Sequence, residues 1–520
     1  MNKKNAAYSI YLFFNIREKT LLDTILNRHS KKPVMVWYQI DNTNAHVTYM
    51  LIGLFCISYS LVSYRLQNYV FITESFFSTL FGIITGSNIL KWINPYAWVS
   101  NKNINTLTYE LSRLILCIQI FTTAIDTPER FMKYHWKTIA MLIIPVMTYG
   151  WIITGAFIKA IFPSLHFSDG LLIAGCITAT DPCLSASVMT GQFAIKNVPE
   201  HLRHLIAVES GVNDGMAFPF IFLSLQLIKY NNSSRFGEDF KARHIVKNWM
   251  VEVVLYKIIL GAVFGVIMGV IGHKIFYKVV HRERVVKQED SGASTAILEE
   301  GVEQTKAGWL THEALITIYL SFIVFLIGCA ATLGIDDLLV SFFAGTAFAW
   351  TSWYHGQTQE FKFISSLDYL MNCFYFVYLG SIMPFNQFNN ALSVSYVPEL
   401  NIWRLILVGL VVLAVRRVPI VCLLYKLMTD VKNFKEALFV GHFGAVGVGA
   451  IYSCIMAIQF LEDERRKLPQ GDDKEYSHYC RLIYMMWPII TYIVLISICV
   501  HGGSISFYSV AKMLYKRTLK

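Results

Sequence analysis

Asp181, Glu209 and Asp214 fall inside two long apolar stretches joined by a short polar turn, within Thr178–Phe220. If those stretches cross a bilayer, a carboxylate at mid-depth costs roughly 2.5–3.5 kcal/mol, and three cost on the order of 8–10 kcal/mol uncompensated. Such groups are kept when they are paired, face a water-filled cavity, or handle an ion or proton. Helical geometry sorts them. Ser210 and Asp214 are four residues apart and share one face, and Glu209 and Asn213 share a second, offset by about 100°. In the preceding stretch, Thr180-Asp181-Pro182 puts a proline at mid-depth, where it removes a backbone hydrogen bond and crowds the turn before it. An unwound Thr180-Asp181 would offer a hydroxyl, a carboxylate and free carbonyls, the oxygen ligands that hard cations take. Burial favours the protonated form of a carboxylic acid, so one such group can hold either a proton or a cation. That competition by itself couples two opposite fluxes.

Carboxylates of this kind need basic partners. Arg416-Arg417 stand in an apolar span immediately before Val418-Pro419. Either guanidinium could reach Glu209 and neutralise it, leaving Asp214 to titrate; the alternative for each arginine is to snorkel to the interface. Asp336-Asp337 follow Gly334-Ile335 in what reads as a tight turn, as caps or as an acidic pair that attracts cations to a vestibule. His442 lies beside a glycine-rich run, as a satisfied core histidine or a pH-sensitive group.

The elements that must position these residues are transmembrane helices. Of 520 residues, 55% are hydrophobic and only 15% charged, against about 25% charged in soluble proteins. Apolar runs of 18 or more recur, so the chain reads as an all-α polytopic membrane protein with about thirteen transmembrane helices. The net charge of +10 fits basic loops at a membrane surface, and no nucleic-acid motif competes with that. Ten scattered cysteines without a CxxC pair read as small apolar residues, not a disulfide frame or metal site. Residues 1–46 form a polar N-terminal segment, extracellular or cytoplasmic, with a short apolar patch at Tyr8–Phe14 that suits an interfacial helix. The transmembrane domain covers 47–501, with core helices near 110–228 and 364–501, and 278–311 reads as a flexible loop. A short basic tail, 502–520, follows it, with no globular regulatory domain expected. Lysine and arginine counts on alternate loops are nearly equal; discounting the long segments favours a cytoplasmic C-terminus.

Two of these spans are interrupted. The fifth, near 169–192, carries Thr180-Asp181-Pro182, and the twelfth, near 434–460, carries GHFGAVGVGA with four glycines in ten residues, Gly441–Ala450. They occupy matching places in two six-span halves around span seven. Paired broken helices in matching positions point to a transporter's binding site, and broken backbone at that depth is tolerated only inside protein or along a cavity.

In order along Glu110–His501, LCIQIF, HW at 135–136, ATDPCLSASV, HLRHLIAVESGVNDGMAFPFIFL, GIDDLLVSFFAG, RRVPIV and GHFGAVGVGA resemble the fungal-type Na+/H+ antiporters. These form part of the electroneutral, Asn-Asp branch of the cation–proton antiporter superfamily. The resemblance implies two inverted six-helix repeats with crossed discontinuous helices, a dimerisation domain and elevator-like alternating access. It assigns Asp214 as the carboxylate for cation and proton, with Na+ held at Asp214, Asp181, Ser210 and Thr180 beside Asn213. It assigns Glu209 and Arg417 as a structural ion pair, and it places Asp126, near the end of span three, where fungal relatives have an acid, either an accessory group or a helix-end acid. Arg416, Asp336, Asp337 and His442 stand as further accessory candidates on their own residues. Ala445 stands where the pattern leads one to expect proline after GHFG, residues 1–46 do not resemble the family, and regulation by a long cytosolic tail is not expected.

The expected activity is one-for-one exchange of Na+, with Li+ and K+ as further substrates, for H+, by a homodimer that needs no cofactor. The plasma membrane is the first expectation for its location, with endosomal and vacuolar membranes as alternatives. A K+/H+ exchanger or a cation channel is the runner-up, although a channel would not need a titrating acid at mid-depth. An intramembrane hydrolase is a weaker alternative: neither aspartate lies in a GxGD context and no HExxH occurs.

Overall fold

The computed structural model describes residues 44–65, 73–98, 104–189, 192–231, 238–291, 312–350, 362–389, 399–468 and 474–518. The Tyr8–Phe14 patch and the rest of the N-terminal segment before residue 44 lie outside them, as do residues 292–311. The described residues form helices and no strands. Seven of these helices are long and apolar enough to cross a membrane: Ala45–Ser63, Phe131–Ile161, Glu200–Tyr230, Ala242–Lys278, Ile316–Leu333, Ile402–Leu427 and Lys474–Ser504. The Ile104–Ile125 helix has 22 residues, about 33 Å of rise, but carries polar groups along one side.

Burial ranks the helices. The apolar window of Glu200–Tyr230, which carries Glu209 and Asp214, is 72% buried, whereas those of Ala45–Ser63 and Ala242–Lys278 are each 17% buried. Of these seven, the helix with the carboxylates is the most buried, and the two least buried stand outside it, where lipid is the natural solvent.

Span five is two helices, Phe167–Cys176 and Pro182–Met189, separated by Ile177–Asp181. Proline disfavours helical backbone at the residue before it, so the break ends at Asp181. Span twelve is likewise Phe434–His442 and Val448–Arg466, with non-helical backbone from Phe443 to Gly447. A third interruption was not expected: span eleven stops at Ala414 and resumes at Val418–Leu424, with Pro419 in its first turn. Pro419 has no N–H to offer the Val415 carbonyl and its ring crowds that carbonyl, so the helix cannot run straight through; the break falls on Arg416-Arg417, and both side chains are buried.

Two segments are more helical than expected. The span-seven helix runs on through Ser291, so the first part of the loop expected at 278–311 is helical; Arg, Glu, Lys and Gln in that stretch are all good helix formers. The last helix is continuous from Lys474 to Thr518, so 502–518 is not a separate tail. Gly502-Gly503 does not stop it, and the Gly502 carbonyl accepts a hydrogen bond from the Thr73 N–H at 3.4 Å. Between spans eight and nine, Gly334 takes φ +68°, a left-handed turn that suits glycine. Asp336 then caps the Asp337–Phe348 helix, accepting from Leu338 N and Leu339 N, both at 3.0 Å.

Candidate functional site

The two breaks meet. The Asp181 N–H donates to the Ala445 carbonyl at 2.8 Å, joining the unwound parts of spans five and twelve. The Asp181 carboxylate lies between the two helices that resume: Oδ2 accepts from Leu184 N at 2.8 Å and Oδ1 from Val448 N at 2.7 Å. A helix N-terminus is equivalent to roughly half a positive charge, so the two together offset about one carboxylate. Arg416 does the converse. Its Nη1 donates to the carbonyls of Ile177, Thr178 (3.2 Å) and Ala179 (3.3 Å), and its Nη2 to that of Gly444. At 4% exposed it is not a snorkelling side chain; it neutralises the carbonyl ends of the first half-helices.

Glu209 faces Arg417 in a two-pronged ion pair, Nη1 to Oε1 at 2.5 Å and Nη2 to Oε2 at 2.6 Å, and Arg417 Nε also donates to the Val440 carbonyl at 3.1 Å. Asn213 ties this pair to the break. Its Nδ2 donates to Glu209 Oε1 (3.1 Å) and to Thr180 Oγ1 (2.7 Å), while its Oδ1 accepts from Thr180 N (3.1 Å). Ser210 donates to the Ile206 carbonyl at 2.7 Å and lies 3.5 Å from Thr180 Oγ1.

Asp214 differs from its neighbours. It is 3% exposed, and its Oδ2 accepts no hydrogen bond from any described residue. What it touches is Gly449, at the start of the resumed span-twelve helix. A Cβ there would overlap the Asp214 carboxylate, and one at Gly447 would come 2.5 Å from the Asp181 Cγ. Glycines at 447 and 449 therefore let the N-terminus of that helix close on both aspartates, and Ala445 leaves the break in place.

A family model described as sodium/hydrogen exchanger, transmembrane, matches residues 51–288 and 295–511. The chain belongs to that family. It is an integral membrane protein. A Na(+)/H(+) antiporter of Saccharomyces cerevisiae is 39% identical over 488 residues, which are 93% of this chain and 45% of that protein. Na(+)/H(+) antiporter 2 of Zygosaccharomyces rouxii is 38% identical over 93% of this chain and 55% of its own length. The chain thus spans about half the length of these curated relatives. A Na(+)/H(+) antiporter of Schizosaccharomyces pombe is 32% identical over 91% of this chain and 92% of its own length. Among solved structures, the sodium proton antiporter MjNhaP1 of Methanocaldococcus jannaschii matches with TM-score 0.58 at 17% identity, over 89% of this chain and all of that one. That likeness shows the fold.

In this member of the exchanger family the remaining expected residues are dispersed. Asp336 is buried beside Asp214's helix; its Oδ2 would stand 3.2 Å from a Cβ on Gly215. Asp337 is ion-paired through Oδ2 with Arg113 Nε at 2.9 Å, so the acidic pair is more than a turn cap. Asp126 is exposed just past the Ile104–Ile125 helix. His442 is half-buried, with its carbonyl accepting from His501 Nε2 at 2.9 Å and the two rings 5.3 Å apart. Sequence reasoning missed Arg113, Tyr452, Gln119 and Ser497. Gln119 donates to Asn372 Oδ1 at 2.5 Å and accepts from the Cys183 thiol, two residues past Asp181. Ser497 Oγ accepts from Val446 N at 2.7 Å, holding the span-twelve break. A lone polar residue in each apolar span was the available signal, and the pairing across spans was not.

The close approach at Gly449 makes a prediction. Gly449→Ala should weaken cation-dependent proton movement about tenfold, because overpacking of this kind costs about 1–3 kcal/mol and falls on the Asp214 carboxylate. Titrating the cation against vesicle pH change checks it, and unchanged cation dependence would refute the contact.

Proposed function

We infer that this protein exchanges a monovalent cation, Na+ first and Li+ or K+ as further substrates, for H+ across a membrane, one for one. The observation that carries the reading is the buried Asp214 carboxylate, whose Oδ2 accepts no hydrogen bond from the described residues. Glu209 is held by Arg417, Asp181 by two helix N-termini, and the neighbouring Asp336 caps a helix through Oδ1, whereas no described residue donates to the Asp214 Oδ2, which leaves Asp214 as the carboxylate to trade partners. In this mechanism Asp214 loses its proton to one side and takes a cation. Ser210, one turn away on the same face, Thr180 and Asp181 supply further oxygens, and Asn213 keeps Thr180 in place. Protonated Asp214 and cation-bound Asp214 carry the same net charge, which makes the exchange electroneutral. The names of the relatives, all Na(+)/H(+) antiporters, support the ion pair Na+ and H+. The exchange itself needs no cofactor. A second copy of the chain is the expected partner within the bilayer, and the plasma membrane the expected location.

The test is purified protein in vesicles with a trapped pH dye, challenged with Na+, Li+ or K+ gradients under imposed voltages of either sign. Proton movement should follow each transported cation and ignore the voltage. A rate that tracks membrane potential would overturn the one-for-one reading, and cation flux without proton movement would identify a channel.

A further inference from the structure

Four residues from three spans join in one set of contacts. Arg113, in the Ile104–Ile125 helix, is ion-paired through Nε with Asp337 Oδ2 at 2.9 Å, and its Nη2 donates to the Tyr109 hydroxyl at 2.8 Å. Tyr452, in the Val448–Arg466 helix, donates to Asp337 Oδ1 and Oδ2, each at 3.2 Å, and accepts from Tyr109 OH at 3.4 Å. The Tyr109 and Tyr452 rings stack 4.9 Å apart and 5° from parallel, and the Arg113 guanidinium lies 4.6 Å from the Tyr109 centroid. The loop of contacts is closed and joins the start of span three, the start of span nine and the second half of span twelve.

Its position relative to the site is defined from both ends. Tyr452 is three residues after Gly449 and so lies on the same helix face as the residue against Asp214. Asp337 follows Asp336, whose free Oδ2 faces Gly215, next to Asp214. On the outer side, Arg113 Nη1 also donates to both oxygens of Glu110 at 3.1 Å, and the Glu110 side chain is 54% exposed. From exposed Glu110 the contacts run inward through Arg113 to the Asp337–Tyr452 layer. Asp337 and Tyr452 are 3% and 2% exposed.

We propose that Arg113, Asp337, Tyr109 and Tyr452 form the gate that seals this side of the Asp214 site and parts when the site turns to face it. The proposal rests on the exchange reading, which requires a barrier on one side at a time. The chemistry suits a barrier that opens repeatedly. A layer of aliphatic side chains would expose apolar surface each time it parted, whereas an ion pair with two phenols exchanges its internal partners for water. While shut, the layer satisfies its own charges, as a buried pair must. The four are positioning residues: none of the contacts they make is to Asp214 itself.

The reporter is built in. Cys117 lies one turn beyond Arg113 on the same helix face and is fully buried. The experiment follows labelling of Cys117 by a charged, membrane-impermeant methanethiosulfonate reagent added to the Glu110 face, read by mass spectrometry, together with exchange kinetics in the same vesicles. The variants are Arg113→Gln with Asp337→Asn, which removes both charges together, and Tyr452→Phe, which keeps the stacked ring and deletes only its hydroxyl. Both should label about tenfold faster than wild type, because loss of about 1.4 kcal/mol from the closed state raises the open population by that factor. Turnover should change while the Na+ KM stays within about threefold, since the site's own ligands are untouched. The charge-swapped pair Arg113→Asp with Asp337→Arg should recover protection relative to either single change. Wild-type labelling rates in both variants would overturn the gate, as would a large rise in KM with labelling unchanged. If wild type exchanges cations for protons and only these results fail, the gate alone is wrong; if wild type moves no protons, the exchange reading fails and the gate falls with it.

Discussion

Asp214→Asn should bring cation-driven proton movement down to the level of protein-free vesicles while leaving thermal unfolding within about 1 kcal/mol of wild type. The two halves of that expectation have separate causes. Asparagine keeps the size and shape of the side chain but can neither release a proton nor carry the negative charge that a cation needs. Stability is spared because the Asp214 Oδ2 accepts no hydrogen bond from the described residues, so no internal partner is orphaned. Asp181→Asn supplies the contrast. Both of its oxygens accept backbone N–H groups, from Leu184 and from Val448. An amide nitrogen in either place would face a donor with another donor, at a cost of about 1–3 kcal/mol. Asp181→Asn should therefore lower the unfolding temperature as well as the activity. Exchange that survives Asp214→Asn would remove Asp214 from its role, and equal destabilisation by both changes would mean that the two carboxylates are not divided as the geometry divides them.

How far the chain could be read beforehand depended on whether the deciding interaction was local. The breaks in spans five and twelve follow from Pro182 and from the glycines between 441 and 449, residues whose effect on the backbone is exerted where they stand. The pairing of Ser210 with Asp214 on one face, and of Glu209 with Asn213 on another, follows from helix period alone. The break at Arg416-Arg417 obeys the same proline rule, yet it sits among apolar residues without the glycines that made span twelve conspicuous. The crossing of spans five and twelve was expected; what could not be read was which atoms meet there and that the third break joins them. Nothing local says that Asp181 meets Val448 rather than a cation alone, or that Arg416 is absorbed by carbonyls from two different spans. Arg113 and Asp337 are likewise separated by several spans, and Asp337 alone reads as a turn cap or a vestibule acid, with nothing local that names Arg113 as its partner. Charge neutralisation by helix ends is a property of how the helices cross, and the crossing is set by packing.

The Glu209–Arg417 pair makes the second large prediction, because it separates a charge that builds the site from one that is transported. Arg417→Ala should destabilise the protein by about 3–5 kcal/mol, the usual cost of leaving one member of a buried ion pair without its partner. Arg416 cannot take over, since its guanidinium is committed to the carbonyls of both breaks. Adding Glu209→Gln should restore a substantial part of the loss: the uncompensated carboxylate is gone, and the glutamine can still meet the Asn213 amide that links position 209 to Thr180. A double-mutant cycle on unfolding free energy should then give a coupling of about 2 kcal/mol or more, within the range for residues in one buried network. The decisive reading is activity in the rescued double variant. If Glu209 serves only to hold Arg417 and Asn213, the double variant should keep cation-for-proton exchange at a reduced rate with no change in its indifference to voltage, because Asp214 remains the one carboxylate that changes state. Exchange that becomes sensitive to voltage would mean that the charge at Glu209 moves with the cation, and a coupling near zero would mean that the two side chains stabilise the fold independently despite their 2.5 Å contact.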